Sequence, residues 1–322
     1  MTWLTWRQYR TQFLAAALAL AATAGYLFHF GGPARERARG VLTGPSVVSE
    51  APFQTVNALV LLAPALIGAF WGAPMIAREL ETGTHRLIWN QSVTRHRWLT
   101  IRLLTVAAAA LTATGLLSLF VTWYAGPVDQ RADDPFRATT FAARGVVPVG
   151  YTAFALALGV CLGLFVRRTV PAMAATLLLF AAVQVLVPLA VRPHLMAPVR
   201  AEAAVTGVQL YRAHKMTLGG PDDAPVRAAV HAPHAWNLVD EQPVLTSTGQ
   251  TVTRATAPCR QEAADGLPQL DPCAAEANLH VSLAYHPNSR YWAFQWIETA
   301  LYLVLAAALT ALTRWGLRRR LG

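Results

Sequence analysis

Charge is what this chain has least of. Only 14% of its 322 residues are Asp, Glu, Lys or Arg, while 54% are hydrophobic and the mean hydropathy is +0.35. A soluble domain carries roughly 25% charged residues, so a water-covered globule of 34.8 kDa is excluded. Lysine is nearly absent: Lys215 is the single one among 27 basic residues. A phosphate-binding P-loop needs a lysine directly after a glycine, in the pattern G-x-x-x-x-G-K-[ST]. Lys215 follows His214 and precedes Met216, so the chain carries no ATP site of that kind. The patterns H-E-x-x-H and G-x-S-x-G are also missing, which removes the zinc-protease and serine-hydrolase signatures. Three cysteines are too few for a disulfide scaffold. His231 and His234 form an H-x-x-H without acidic or cysteine partners at ligand spacing, so no metal site and no resident cofactor are expected.

What the chain does have is long apolar runs. Crossing about 30 Å of hydrocarbon takes roughly 20 residues. Six runs qualify: Phe13–Phe30, Val56–Ala77, Leu103–Ala125, Val146–Val166, Thr169–Val191 and Tyr291–Thr313. Five of them contain no formal charge and the sixth contains one, Glu298. The fold class expected is therefore an all-α polytopic membrane protein with six spans. The fourth and fifth runs are separated only by Arg167-Arg168, which forces a tight antiparallel hairpin. The first run continues through Phe30, past Ala22-Thr23-Ala24, and reads as an anchor rather than a cleaved signal.

The net charge of +10 and a pI near 10.2 would in a soluble protein raise nucleic acid as a partner. Here the charge is sorted along the chain instead. Segments 1–12, 78–102, 167–168 and 314–322 hold thirteen basic residues against two acids, Glu79 and Glu81. The opposite segments, 31–55, 126–145 and 192–290, hold fourteen of each. This is the positive-inside pattern. It predicts both termini in the cytoplasm, 192–290 outside, and no nucleic acid. Arginine's dominance over lysine, with abundant alanine, fits a high-GC bacterial genome and hence a bacterial cytoplasmic membrane.

Four segments follow: an interfacial amphipathic helix over 1–12, with Trp3, Trp6, Arg10 and Phe13 at helical spacing or alternatively the start of the first span; spans one to five over 13–191; an outer domain over 192–290; and the last span with its basic tail over 291–322. The outer segment reads as a small α+β domain. Pro243–Thr253 alternates around Thr248-Gly249 like a hairpin, Asn278–Tyr285 reads as a strand, and Val199–Tyr211 as a helix. Cys259 and Cys273 both fall in it, where disulfides persist, and are expected to bridge. Cys161 lies in the fourth run as a packing residue.

Inside the runs, Gly68/Gly72 and Gly159/Gly163 allow close helix approach, and Pro64, Pro74, Pro171 and Pro188 should kink their helices. The polar residues there are Asn57, Gln184 and Glu298. Arg290 lies about 12 Å from Glu298 along a helix, too far to pair, so a partner must come from another span, with Asn57 the best placed. A structural ion or hydrogen-bond partner is the default role for Glu298; a proton relay and a substrate contact compete with it.

The loop 78–102 orders its acids before its bases and holds Leu87, Ile88, Trp89 and Trp98, which need membrane or a partner surface. The succession Glu79-Leu-Glu81-Thr-Gly83-Thr84, Trp89-x-Gln91, Arg95-x-Arg97-Trp98 resembles the permease subunits of ATP-binding-cassette type-2 transporters. The resemblance extends to Trp3–Gln12 and to Ser289-Arg290-Tyr291-Trp292-x-Phe294-Gln295-Trp296-x-Glu298. It implies that a coupling helix in this loop, carried here by Arg78, Glu79, Leu80, Glu81, Thr82, Gly83 and Thr84, docks on a separate ATPase subunit that holds ATP and Mg. It implies two permease subunits per transporter, as homodimer or heterodimer, and export of a hydrophobic or amphipathic substrate such as a drug, antibiotic, peptide or lipid. The rival readings are a proton-coupled secondary transporter using Glu298, an intramembrane enzyme, and a non-transporting sensor or assembly factor with a ligand-binding outer domain.

Overall fold

The computed structural model describes residues 2–40, 51–82, 95–130, 135–217, 221–253, 255–257, 259 and 267–320. These divide into two compact units, one made by the helices up to Leu195 and from Trp292 onward, the other built on Met196–Tyr291.

The helical unit runs in order through α1 (Thr2–Phe30), α2 (Gly32–Ala38), α3 (Ala51–Ile67), α4 (Ala73–Glu81), α5 (Arg95–Asp129), α6 (Ala138–Ala142), α7 (Val147–Val166), α8 (Thr169–Leu186) and finally α11 (Tyr291–Arg320). Five continuous helical stretches are long and apolar enough to cross a membrane: Ala51–Glu81, Thr100–Asp129, Val147–Val166, Thr169–His194 and Asn288–Arg319. A sixth is reached if Leu14–Phe30 and Gly32–Ala38, bent by 61° at their junction, count as one span. The chain is thus a mostly helical, polytopic membrane protein. α1 continues unbroken across residue 12, so 1–12 and the first apolar run share one helix.

α7 is the enclosed helix, with fifteen of its twenty residues buried. Its glycines explain how neighbours come so close. A Cβ on Gly159 would lie 2.1 Å from the Gly68 carbonyl oxygen, and one on Gly163 would lie 2.5 Å from that of Ala73. Reciprocally, a Cβ on Gly68 would meet the Ala155 carbonyl oxygen at 2.5 Å and one on Gly72 that of Leu156 at 2.8 Å. The two glycine pairs are the two faces of one backbone-to-backbone contact.

Proline and glycine also reshape the hydrogen-bond ladder. Between α3 and α4 the turns Gly68–Gly72 are π-helical, and the Ala73 N–H donates five residues back to Gly68 O. Pro74 lacks the N–H that would continue an α-ladder there, and widening the turn re-pairs its neighbours. Val187–Val191 repeats the device around Pro188, with Arg192 N–H donating to Val187 O. Pro171 departs from the expected kink: it lies in the first turn of α8, where its missing N–H has no intrahelical acceptor to lose. The α7–α8 hairpin closes on Arg167 in the left-handed region, φ 59°, donating to Gly163 O. With only two residues between helices the reversal needs that conformation, whatever its side chain.

The second unit holds a three-stranded antiparallel sheet in the order β1 (Val199–Ala204), β5 (His280–Pro287), β3 (Ala235–Asn237), and a pair β2 (Arg227–Ala228) with β4 (Gln242–Pro243). Register runs from Val199 opposite Tyr285 to Ala204 opposite His280. Helices α9 (Gly207–Thr217) and α10 (Leu267–Glu276) complete it. Leu210, Val226, Val244, Val252, Val281 and Leu283 form its core, into which Cys259 is packed, bonded to Cys273. Pro243–Thr253 does turn as a hairpin, with Thr246 N–H to Gln250 O and Gly249 at φ 77°.

The helix expected over Val199–Tyr211 is half strand. In β1, Val199, Ala201 and Ala203 are half-buried while Arg200, Glu202 and Ala204 are exposed, a period of two that the pairing with β5 selects over alanine's helical preference. The helix starts only after Thr206: Gln209 N–H donates to its hydroxyl and Thr206 N–H to the Gln209 side chain, a reciprocal cap that marks the boundary.

Candidate functional site

The last helix enters with the sequence Trp292-Ala-Phe-Gln-Trp-Ile-Glu298. Phe294, Gln295 and Glu298 fall on one face and are fully buried, while Trp292 and Trp296 are exposed on the other. Each buried member has a task. Phe294 packs edge-on to Phe136, ring centroids 5.3 Å apart. The Gln295 side-chain carbonyl accepts from the N–H groups of Val146 (3.1 Å) and Val147 (3.2 Å), and its amide donates to Phe141 O (3.1 Å). It caps α7 from another helix, at an N-terminus whose own N-cap, Val146, has no side chain to offer. Gly145, φ 65°, is required beside it, because a Cβ would sit 2.7 Å from Gln295 Oε1.

Glu298 is the centre of an intramembrane polar cluster. Arg192 donates to it through Nε (2.7 Å to Oε2) and Nη2 (3.0 Å to Oε1), a bidentate pair with both side chains essentially unexposed. Tyr151 of α7 adds its hydroxyl at 2.5 Å to Oε1. The guanidinium also stacks over the Phe141 ring, 4.2 Å from its centroid. Next to this pair, Tyr302 packs edge-on to Tyr151 at 4.6 Å and donates to Gln184 Oε1 at 3.0 Å. Gln184 and Glu298 therefore belong to one constellation contributed by α7, α8 with its extension, and α11.

Asn57 does not join it, contrary to expectation. Its Oδ1 accepts from Arg144 Nη1 at 2.6 Å, and the same arginine reaches Asp129 through Nε at 2.8 Å. Asn57 thus completes a separate Arg144–Asp129 cluster at the ends of α3 and α5. The carboxylate of Glu298 needs a full counter-charge in apolar surroundings, and an amide cannot supply one. Arg192 was legible only as the first residue beyond the fifth apolar run; the helix continues through the Pro188 π-turn to His194 and brings it inside, out of the outer segment to which 192–290 assigned it. Arg290, correctly too distant, donates to Ala197 O.

At the other end of the bundle lies the segment Arg78–Thr82. α4 ends at Glu81, with Thr82 N–H and hydroxyl both donating to Arg78 O. Glu79 is ion-paired with Arg102 of α5. Glu81 Oε2 accepts from Thr169 N–H (2.9 Å) and Thr169 Oγ1 (2.7 Å), capping α8, whose own N-cap Arg168 makes no side-chain cap. Leu80 packs against the cluster that holds Met75, Ile76 and Val106. Both acids thus tie α4 to its neighbours; Gly83 and Thr84 lie outside the described residues. Among the described residues no group of His, Cys, Asp and Glu is placed to hold a metal ion, and His231 and His234 remain apart from any such set.

Comparison with known families adds one finding. Residues 34–192 match the family model described as ABC-2 membrane transporter related. The match starts in α2, runs through the loop between α4 and α5, and ends at Arg192. Neither the curated proteins nor the solved structures contain a match. The family match and the apolar helices support a membrane-embedded permease of the ABC-2 type.

Proposed function

We propose that this chain is the membrane-spanning subunit of an ATP-driven exporter. The observation that carries the reading is the family match over 34–192, a segment that holds the loop whose sequence resembles a coupling element. In this reading a separate ATPase subunit binds ATP and Mg, this chain does neither, and a second permease copy or homologue completes the membrane dimer. Both termini and 78–102 face the cytoplasm and the segment from Met196 to Arg290 lies outside the bacterial cytoplasmic membrane, in line with the charge asymmetry. Closure of the partner's ATPase dimer would draw the two loops together and switch the membrane dimer between inward- and outward-facing states. Hydrophobic or amphipathic compounds are the proposed cargo. The Arg192–Glu298 pair favours a packing role over a proton relay for that carboxylate, since a bidentate guanidinium holds it in one place.

The test is reconstitution. The purified chain alone should hydrolyse no ATP above a mock preparation. Co-expressed with its ATPase subunit, it should purify as a complex whose hydrolysis and transport depend on each other. Hydrolysis by the isolated chain, or transport without any ATPase, would overturn the proposal.

A further inference from the structure

A cation buried in apolar surroundings needs an anion or must be paid for elsewhere. Arg35 of α2 is 9% exposed, and its guanidinium carbon lies 4.6 Å from the Trp123 ring centroid and 4.4 Å from that of Tyr124. The Tyr124 hydroxyl is committed to Leu27 O at 2.8 Å, so the ring's orientation is fixed. Stacking on two rings compensates for some of the desolvation. It does not neutralise the charge. Among the described residues Arg35 makes no ion pair, and its Nε is buried without a hydrogen-bond partner. Glu36 is the adjacent residue, and i,i+1 neighbours on a helix do not face each other. Arg37 and Arg39 add positive charge to the same short segment.

A second, independent feature leads to the same place. Between α1, α3 and α5 runs an almost wholly apolar groove of about 690 Å³, from Ala15 and Trp71 at one end to Tyr26 and Thr55 at the other. From Ala15 to Tyr26 the helix rises about 16 Å, roughly half the thickness of a 30 Å hydrocarbon layer. Its Tyr26 and Leu117 end packs against the cluster containing Tyr124 and Ala34, the platform and neighbour of Arg35.

An apolar groove about 16 Å long, headed by an arginine with no ion pair among the described residues, has the chemistry to take an amphiphile with an anionic head. We propose that this groove binds an anionic phospholipid, its acyl chain along α1 and α3 and its phosphate on Arg35. The bent α2 holds the headgroup site at the level of the membrane interface, and Trp123 and Tyr124 supply the amphipathic rings found there. The inference goes beyond the transport reading and requires only that the helices span a bilayer.

The experiment is a lipid competition on the purified full chain in detergent, read by native mass spectrometry and by thermal shift, with phosphatidylglycerol against phosphatidylcholine. A charge-assisted contact at the head predicts roughly tenfold preference for phosphatidylglycerol. Arg35→Gln should abolish the preference, Arg35→Lys should keep part of it, and Ala63→Phe, which fills the groove without touching the charge, should lose bound lipid altogether. Equal retention of the two lipids, or undiminished preference in Arg35→Gln, would overturn the proposal. So would an equal shift from sn-glycerol 3-phosphate alone, which would leave an anion site with no acyl groove. If Arg35→Gln fails to fold, the outcome of Ala63→Phe still decides.

Discussion

Removing the carboxylate of Glu298 while leaving Arg192 in place strands a guanidinium that is 1% exposed. Breaking a buried pair from one side costs about 3–5 kcal/mol, whereas replacing both partners by apolar groups of similar volume is often neutral. Glu298→Leu should therefore collapse yield and thermal stability, Arg192→Leu should do the same, and the double leucine variant should recover much of the loss. A size-exclusion thermal melt of the three variants measures the coupling. Glu298→Gln retains the acceptor for Arg192 and Tyr151 and should fall between. Should Glu298→Gln fold as well as wild type yet stop transport, the carboxylate acts in the mechanism and the packing role is wrong. Tyr151→Phe removes a donor to a buried carboxylate and should cost about 1.5–3 kcal/mol. At this scale the sequence marked Glu298 by its isolation in an apolar run. It could not mark Arg192, because the π-turn that draws that arginine inward is a property of the ladder around Pro188, invisible to hydropathy.

Helices were legible wherever an apolar run was long, and their contacts were legible only through glycine. Gly68, Gly72, Gly159 and Gly163 are spaced for packing in the sequence, and the structure sets the two pairs against each other. Gly159→Ala places a Cβ 2.1 Å from the Gly68 carbonyl oxygen, with only backbone to give way, and overpacking of this kind costs about 1–3 kcal/mol or more. Gly115 is the internal control. Its nearest prospective neighbour is Val149 Cγ2 at 3.7 Å, so Gly115→Ala should be neutral or raise stability by up to about 1 kcal/mol through helix propensity. Comparable melting temperatures for the two variants would refute the close contact between α7 and the Gly68–Gly72 turn. In the second unit the errors run the other way. Ala201 to Ala204 read as helix because alanine prefers it, and only pairing with a strand some eighty residues later makes them β1. The Thr206–Gln209 cap was present in the sequence and is the signal that would have corrected the boundary. The Cys259–Cys273 bond spans a separation of 14 residues and should contribute about 3 kcal/mol. Alkylation of unreduced protein should modify Cys161 alone, and only on denaturation, since it is buried. Three alkylated cysteines would remove the bridge.

For the molecule as a whole, the question is whether α4 is a docking element, an internal clamp, or both. Composition and charge order reach as far as a membrane protein with a charge-patterned segment between its second and third apolar runs. They could not disclose that both acids of that segment are engaged within the chain: Arg102 is the last base of the same segment, but only the return of α5 beside α4 brings it to Glu79, and Thr169 lies on α8, far away in sequence. Glu79 is paired with Arg102 and Glu81 caps α8 at Thr169, so reversing both acids would disturb the bundle even if no partner touched them. A charge swap separates the roles. Glu79→Arg alone should weaken the link between α4 and α5 and lower the amount of folded protein. Adding Arg102→Glu restores an ion pair of opposite polarity in the same part-buried position, where the side chains are 17% and 16% exposed, and should restore that amount. On the docking proposal the swapped chain still presents a cation where the ATPase groove expects an anion, a mismatch that complementarity does not tolerate. The swapped variant should thus insert and fold normally while failing to co-purify with the ATPase. Thr169→Val supplies the matching test for Glu81: it removes the hydroxyl donor and leaves the N–H of residue 169 on the carboxylate, so it loosens the tie to α8 and should leave ATPase binding intact. Recovery of ATPase binding together with folding in the swapped chain would assign Glu79 to the internal clamp and move the docking surface into 83–94.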